Sequence, residues 1–228
     1  MKADREKEFV DRIAKLYTPV VSDVLDELGV RDNVMSGEIR PIYPEAKVAG
    51  LAYTMRSSAT VEYRKSQDIL FIEALDRIAR NAVIVHEVGS ATNAAAWGEM
   101  CSATAMARGA LGAVTNGAIR DATKITEMRF PVFARSFTPA DSTIASAGLA
   151  RMQLIDCQMP VRCGGVIVNP GDIIFADLDG IAVVPKNVVD EVVKRAEEKA
   201  KEEKEIRKAL NKGEHIKETL LRYARLEK

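Results

Sequence analysis

AVIVHEVGSATNAAAWGEMCSATAMARGALGAVTNGAIRDATKITEMRFPVFARS, residues 82–136, decides the fold. Three short runs rich in β-branched and small apolar residues stand in it: AVIVHEV (82–88), LGAVTNG (111–117) and PVFARS (131–136). Between them, residues 97–108 and 121–128 read as helices. Strands separated by helices at this spacing form βαβ units, and those give a parallel sheet with helices packed against it.

Working outward, residues 66–80 read as a further helix with Ile69, Leu70, Ile72, Ala74, Leu75 and Ile78 as its apolar set. VAGLAYTM (48–55) reads as a largely buried strand. At the N-terminus, Phe9, Ile13, Leu16 and Tyr17, then Val20, Val21, Val24, Leu25 and Leu28, recur at helical spacing. They predict two helices that part near Thr18-Pro19, the second stopping at Gly29. Downstream, MQLIDCQMPV, VIVN, DIIFAD and GIAVVP (152–185) are short strands divided by Gly and Pro turns, and they predict a small β layer or barrel-like unit. Residues 186–228 are charged and helical. Their stripe Val189, Val192, Val193, Ala196 and Ala200 needs cover, from the chain's own domain or from another subunit. The expected division is a domain over 1–185 and a helical extension over 186–228.

The composition sets limits. The net charge is +0, from 33 basic and 33 acidic residues, so no basic excess exists to neutralise phosphates and nucleic acid is not an expected partner. No run approaches the roughly 18 apolar residues of a membrane span. The charged start MKADREKEF has no apolar signal core. Three cysteines, Cys101, Cys157 and Cys163, give no disulfide framework and suit a reducing cytoplasm.

The chemistry gathers at two loops. Open α/β sheets take ligands beyond the carboxyl ends of their strands. HEVGSATNAAAWGEM (86–100) and TNGAIRDATK (115–124) follow two such ends, and they converge if the strands are neighbours. Each leads into a helix N-terminus, which presents unpaired N–H groups and a partial positive charge. The amides around Gly98, Glu99, Met100 and Cys101 can receive a substrate carboxylate, with Gly98 allowing close approach. Glu99 and Asp121 supply hard oxygen ligands of the kind that suit Mg²⁺ or Mn²⁺. Arg120 is a fixed cation with a planar fork of donors. Each residue also has a bland reading: Arg120-Asp121 as a helix cap with a surface ion pair, Glu99 as a helix-dipole partner, Trp97 as packing, His86 as a structural histidine.

At these residues the chain resembles the family of the regulator of ribonuclease activity A (RraA) and the 4-hydroxy-4-methyl-2-oxoglutarate aldolases. The resemblance rests on Glu99, the twenty residues 100–119 and then Arg120-Asp121, together with AAAWGEM, ATAMARGALGAVTNGAIRD, PVRCGGVIVNPGD and FADLDGIAVVP. It implies an α/β architecture, the swivelling β/β/α fold, flanked here by N-terminal helices and a charged C-terminal helical extension. It implies a homotrimer, or a hexamer of trimers, with sites between subunits, and a neighbouring subunit's acid for which Glu197 and Glu198 are candidates. It also implies a divalent metal, Mg²⁺ or Mn²⁺, held directly by Asp121 and through water by Glu99. Arg120 would bind the oxygens of a small 2-oxo acid, and the amides of residues 98–101 its carboxylate. The implied activity is a class II aldolase that releases pyruvate from 4-hydroxy-2-oxo acids, with oxaloacetate decarboxylation alongside. The alternative within the same family is a non-catalytic protein that binds an RNA-degrading enzyme. His86 and Asn116 stand where the enzymes usually carry other residues. No glycine-rich S-adenosylmethionine loop follows the first strand, which argues against a methyltransferase.

Overall fold

In the computed structural model, residues 2–89, 91 and 93–223 are described. Helices α1 (Lys2–Ile13) and α2 (Thr18–Glu27) come first, with Pro19 in the first turn of α2 and Gly29 in the left-handed conformation just past its end. The chain continues through β1 (Arg40–Pro41), β2 (Val48–Ala59), α3 (Lys65–Asp76), β3 (Ala82–Glu87), β4 (Ala95–Trp97), α4 (Glu99–Arg108), β5 (Gly112–Thr115), β6 (Ala118–Ile119), α5 (Ala122–Glu127), β7 (Val132–Ala134) and β8 (Ser136–Phe137). Then come β9 (Thr143–Ile144), β10 (Leu149–Ala150), β11 (Met152–Cys157), β12 (Val161–Cys163), β13 (Val166–Val168), β14 (Ile173–Ala176), β15 (Ile181–Val184), α6 (Val189–Asn211) and α7 (Ile216–Arg222).

The main sheet has the order β1-β7-β5-β3-β2-β14-β15, and β11 also pairs with β2. Strands β2, β3, β5 and β7 are mutually parallel, as the βαβ spacing predicts. The long strand β2 holds two antiparallel partners on its other edge: residues 48–51 pair with β14, and residues 55–59 with β11. The strands of 152–184 are therefore not a separate β layer. Three of the five (β11, β14 and β15) join the main sheet, and only the β12–β13 hairpin stands apart.

Side chains alternate across this sheet with period two. Val48, Ala52, Val83, Val85, Ile174 and Ala176 face the hairpin, which contributes Val161, Cys163, Val166 and Val168. The other face is covered by helices. Ala49, Ile173 and Phe175 meet Val20, Val24 and Leu25 of α2 and Val192, Val193 and Ala196 of α6. Farther along, Tyr53, Ile84 and Ala113 meet Leu75 of α3, Ala105 of α4 and Ile125 of α5. Hairpin, sheet and helices make three layers, β/β/α. The apolar stripe of α6 is thus covered by α1 and α2 of the same chain, reinforced by the Arg12–Glu197 pair at 2.8 Å. On α3 the burial is narrower than the periodicity predicts: Ala74 and Leu75 are buried, while Ile69 and Ile72 face outward.

A second departure shapes the site. Each of β3, β5 and β7 is followed by a short strand that leaves the main sheet, and these three strands pair in parallel in the order β4-β6-β8. Residues 95–97 are strand, so α4 begins at Glu99, two residues after the Trp97 start that the sequence predicts. Gly117 sits at one of the crossings; a Cβ there would lie 2.8 Å from Val88 Cγ2. Asn116 Oδ1 accepts the Val88 N–H at 2.9 Å and ties two crossings together.

Leu25 is fully buried between α2 and α6, whereas Ile72 is 56% exposed. Leu25→Ala is expected to cost about 2 to 5 kcal/mol in urea denaturation. Ile72→Ala is expected to stay within about 0.5 kcal/mol of the parent.

Candidate active site

The three-stranded sheet brings the two sequence-selected loops together at its carboxyl edge. Ala95 pairs with Ala118 and Trp97 with Ile119, so Gly98-Glu99 and Arg120-Asp121 leave side by side. The Arg120 N–H donates to the Trp97 carbonyl at 3.0 Å. Trp97 itself is buried and donates Nε1–H to Ser102 Oγ at 2.8 Å, a packing role.

Asp121 occupies the N-cap position of α5 with φ 59°, ψ 29°, and its side chain makes no cap hydrogen bond there. A non-glycine residue in the left-handed region is uncommon and carries strain. Its carboxylate turns to the neighbouring helix, where Oδ2 accepts the Glu99 N–H at 3.2 Å at the start of α4. The same oxygen lies 3.5 Å from Arg120 Nε. Oδ1 takes part in neither contact. The pair is therefore not the simple cap of its own helix that a bland reading supposes.

Gly98 makes this approach possible. A Cβ at position 98 would stand 3.0 Å from Asp121 Oδ2 and 3.3 Å from Arg120 Cγ. Its φ of −156° is ordinary extended backbone, so space and not conformation requires glycine.

Two partners were not legible in the sequence. Arg120 Nη1 meets Asp141 Oδ2 at 2.7 Å. The loop that carries Asp141 is pinned by the Ala95 N–H donating to the Ala140 carbonyl, and by Arg151 Nη1 donating to the Asp141 carbonyl, both at 2.9 Å. Lys124 Nζ meets Glu99 Oε2 at 2.7 Å, and that bond holds the ammonium above its ordinary value. Lys124 stands three residues after Asp121, so the first turn of α5 swings it back over α4. No motif spacing marks Asp141.

A cleft of about 430 Å³ opens here, lined by Ile119, Arg120, Asp121, Ala122, Phe137, Thr138 and Pro139. Met100 is 79% exposed beside it and Phe137 62%. Arg120 and Lys124 set two positive charges against three carboxylates (Glu99, Asp121 and Asp141), so the cluster is negative by one. A divalent cation suits that balance, and a carboxylate substrate could then bind without net repulsion. Among the described residues no group of three or more His, Cys, Asp or Glu could hold a metal. The donor set fits a hard ion that keeps several waters and takes one or two carboxylates, as Mg²⁺ does.

Cys101 is packed behind the start of α4. Burial pushes its thiol up to about 11, with the backbone of Gly98 acting weakly in the other direction. Cys163 is pushed up to about 12 by burial between the hairpin that carries it and the main sheet. His86 is 1% exposed, and burial pulls its imidazole down to about 4, opposed weakly by the backbone of Ala96. It is a neutral buried ring away from the cleft. Of the two candidates for an acid donated to a neighbour, Glu197 is engaged with Arg12 of its own chain.

These features define a mixed α/β protein with a carboxylate–guanidinium cluster at the carboxyl edge of a small parallel sheet. The chain belongs to the RraA-like family (Aldolase/RraA), which matches residues 18–183. Protein DlpA of Legionella pneumophila is 27% identical over 96% of this chain, but the chain spans only 34% of that protein's length. A Halalkalibacterium halodurans protein, provisionally named 4-hydroxy-4-methyl-2-oxoglutarate aldolase, is 29% identical over 90% of both chains. Among solved structures, RraAS2 of Streptomyces coelicolor, described as an unusual member of the RNase ES inhibitor RraA family, superimposes with a TM-score of 0.74 and 27% identity over 88% of this chain and 96% of its own. Among the described residues no helix is long and apolar enough to cross a membrane.

Alkylation should report the buried thiols. Burial disfavours the thiolate at both positions, so at pH 8 iodoacetamide is expected to label Cys101 and Cys163 of the native protein far more slowly than those of the denatured chain, as read by mass spectrometry. Labelling should rise as pH climbs toward 11, and denaturant should expose both at once.

Proposed function

We propose that the protein is a divalent-metal-dependent pyruvate aldolase, cleaving 4-hydroxy-2-oxo acids such as 4-hydroxy-4-methyl-2-oxoglutarate and also decarboxylating oxaloacetate. The observation that carries the reading is that Arg120 and Asp121 line one cleft, with Asp121 held in a strained backbone conformation and bonded to the Glu99 amide at the start of α4. A cation held by Asp121, with Glu99 reaching it through water, would supply Lewis-acid polarisation of the 2-oxo group. The chain's own groups do the rest. Arg120, steadied by Asp141, meets the 2-oxo oxygen, where negative charge grows as the carbon–carbon bond breaks. The Glu99 N–H is taken by Asp121, so the next amides of α4, those of Met100 and Cys101, would face the substrate carboxylate. Glu99, steadied by Lys124, would orient the water that relays the 4-hydroxyl proton, and return of a proton through that water to C3 of the enolate gives pyruvate. Decarboxylation of oxaloacetate places charge on the same oxygen and uses the same donors.

The exposed Met100 and Phe137 beside the cleft fit burial by a second copy of the chain, in a trimer or a hexamer of trimers. Light scattering at micromolar concentration is expected to give such a mass, and a monomer would end that assembly. A cytoplasmic location agrees with the unpaired thiols Cys101, Cys157 and Cys163. A second reading, a protein-binding regulator, draws support from the RraAS2 likeness and predicts no turnover at all.

Purified protein with Mg²⁺ or Mn²⁺ is expected to release pyruvate from oxaloacetate and from at least one 4-hydroxy-2-oxo acid. Arg120→Lys should lower kcat by about 10² to 10³ and leave Mn²⁺ affinity near that of the parent. Asp121→Asn should weaken Mn²⁺ binding, with partial recovery at high metal, and Glu99→Gln should fall between the two. Asp141→Asn should raise KM and lower kcat less than Arg120→Lys, because the guanidinium remains but is no longer steadied. Full activity in both Arg120→Lys and Asp121→Asn would end the catalytic reading.

A further inference from the structure

A second pocket shares no lining residue with the cleft at Arg120. It lies at the carboxyl ends of β2 and β3, under the first turn of α3 and against β11. That is where an open parallel sheet places a ligand. The candidate active site uses the edge of the smaller sheet, which leaves this crevice of the main sheet without an assigned task.

Its floor is polar and incompletely bonded. Ser57 and His86 are 3% and 1% exposed, and Ser57 Oγ lies 2.8 Å from His86 Nε2. His86 Nδ1, Gln67 Oε1 and Gln153 Oε1 are buried without a hydrogen-bond partner. Gln67 Oε1 and Gln153 Oε1 are acceptors, and His86 Nδ1 is a third in the tautomer whose Nε2–H donates to Ser57 Oγ. Buried acceptors left unpaired are costly, so a group rich in donors is favoured there. The enclosed space of about 40 Å³ admits only a handful of non-hydrogen atoms.

The charge on the walls selects the donor. At the rim Glu62 and Arg64 pair with each other at 2.9 Å. Asp68, in the first turn of α3, has no ion-pair partner among the described residues. The pocket is thus negative overall, and Phe71 and Leu154 supply apolar wall beside the polar floor.

We infer that this pocket binds a small primary amine, with its ammonium group taken by the unpartnered acceptors of Gln67, Gln153 and His86 and balanced by Asp68. An ammonium carries three donors, and the uncharged imidazole does not repel it. The assignment does not depend on the reaction at Arg120.

The chain has two histidines, His86 and the exposed His215, so their ring resonances make a simple reporter. Full-length protein is titrated with methylammonium chloride and followed by ring proton–carbon NMR, with His215→Gln giving the assignment. Sodium chloride, sodium acetate and methanol are titrated in parallel. A saturable shift of His86, with His215 unmoved, is expected for methylammonium alone. Gln67→Leu and Gln153→Leu, checked as folded by circular dichroism, should each weaken it about tenfold, the usual effect of one charge-assisted hydrogen bond. If either variant fails to fold, the parent titration decides by itself. No saturable shift, or the same shift with sodium chloride, would mean that the pocket holds water only and would overturn the proposal. An equal response to methanol would overturn the ammonium assignment.

Discussion

A strand that leaves its sheet must re-bond its backbone, because buried N–H and C=O groups left unpaired are costly. Strands β3, β5 and β7 all leave the main sheet at one level, and they meet the demand together by re-pairing as β4, β6 and β8. None of the three short strands could stand alone at two or three residues. The pairing fixes where Gly98-Glu99 and Arg120-Asp121 emerge, and the Arg120 N–H bond to the Trp97 carbonyl extends it one step further. The bond between Asn116 and the Val88 N–H at the crossings serves the same end. The candidate active site is a product of this hydrogen-bond accounting before it is a product of any side chain.

The cluster at the site also balances itself. Each candidate side chain has a named partner that limits its motion: Asp141 for Arg120, Lys124 for Glu99, and the Glu99 amide for Asp121. These groups are one-third or more exposed, so their ion pairs contribute little to stability. Their value lies in orientation. If Arg120 acts on a substrate as proposed, restricting its guanidinium beforehand would remove a cost otherwise met at the moment of reaction.

Much of this was legible in the sequence, and the illegible part has physical causes. The parallel core over 82–136 showed because strand and helix periods are local properties, and Glu99, Arg120 and Asp121 followed from the strand-end rule. The second sheet did not show. Trp97 reads as the start of a helix because the alanines after it favour helix, and only pairing with Ala118 and Ile119 turns residues 95–97 into strand. Asp141 and Lys124 were missed because their roles arise from a pinned loop and a helix phase, neither of which has a motif. The strands of 152–184 were read as a separate layer because nothing local records that β2 is long enough to take β14 and β11 on one edge. On α3 the sequence overstates the buried face, since Ile69 and Ile72 satisfy the helical period yet stand largely exposed.

The layer formed by α1, α2 and α6 has a consequence for the order in which the molecule assembles. Arg5 reaches Asp190 and Arg12 reaches Glu197, each across 185 positions of chain. Contacts so distant in sequence close large loops and slow folding. Until α6 is made, Val20, Val24 and Leu25 on α2 lack part of their cover. On a ribosome that interval lasts while well over a hundred residues are synthesised, roughly ten seconds or more at ordinary rates. The nascent chain must carry the apolar faces of α1 and α2 without that cover for the interval, and both are surfaces a chaperone could hold.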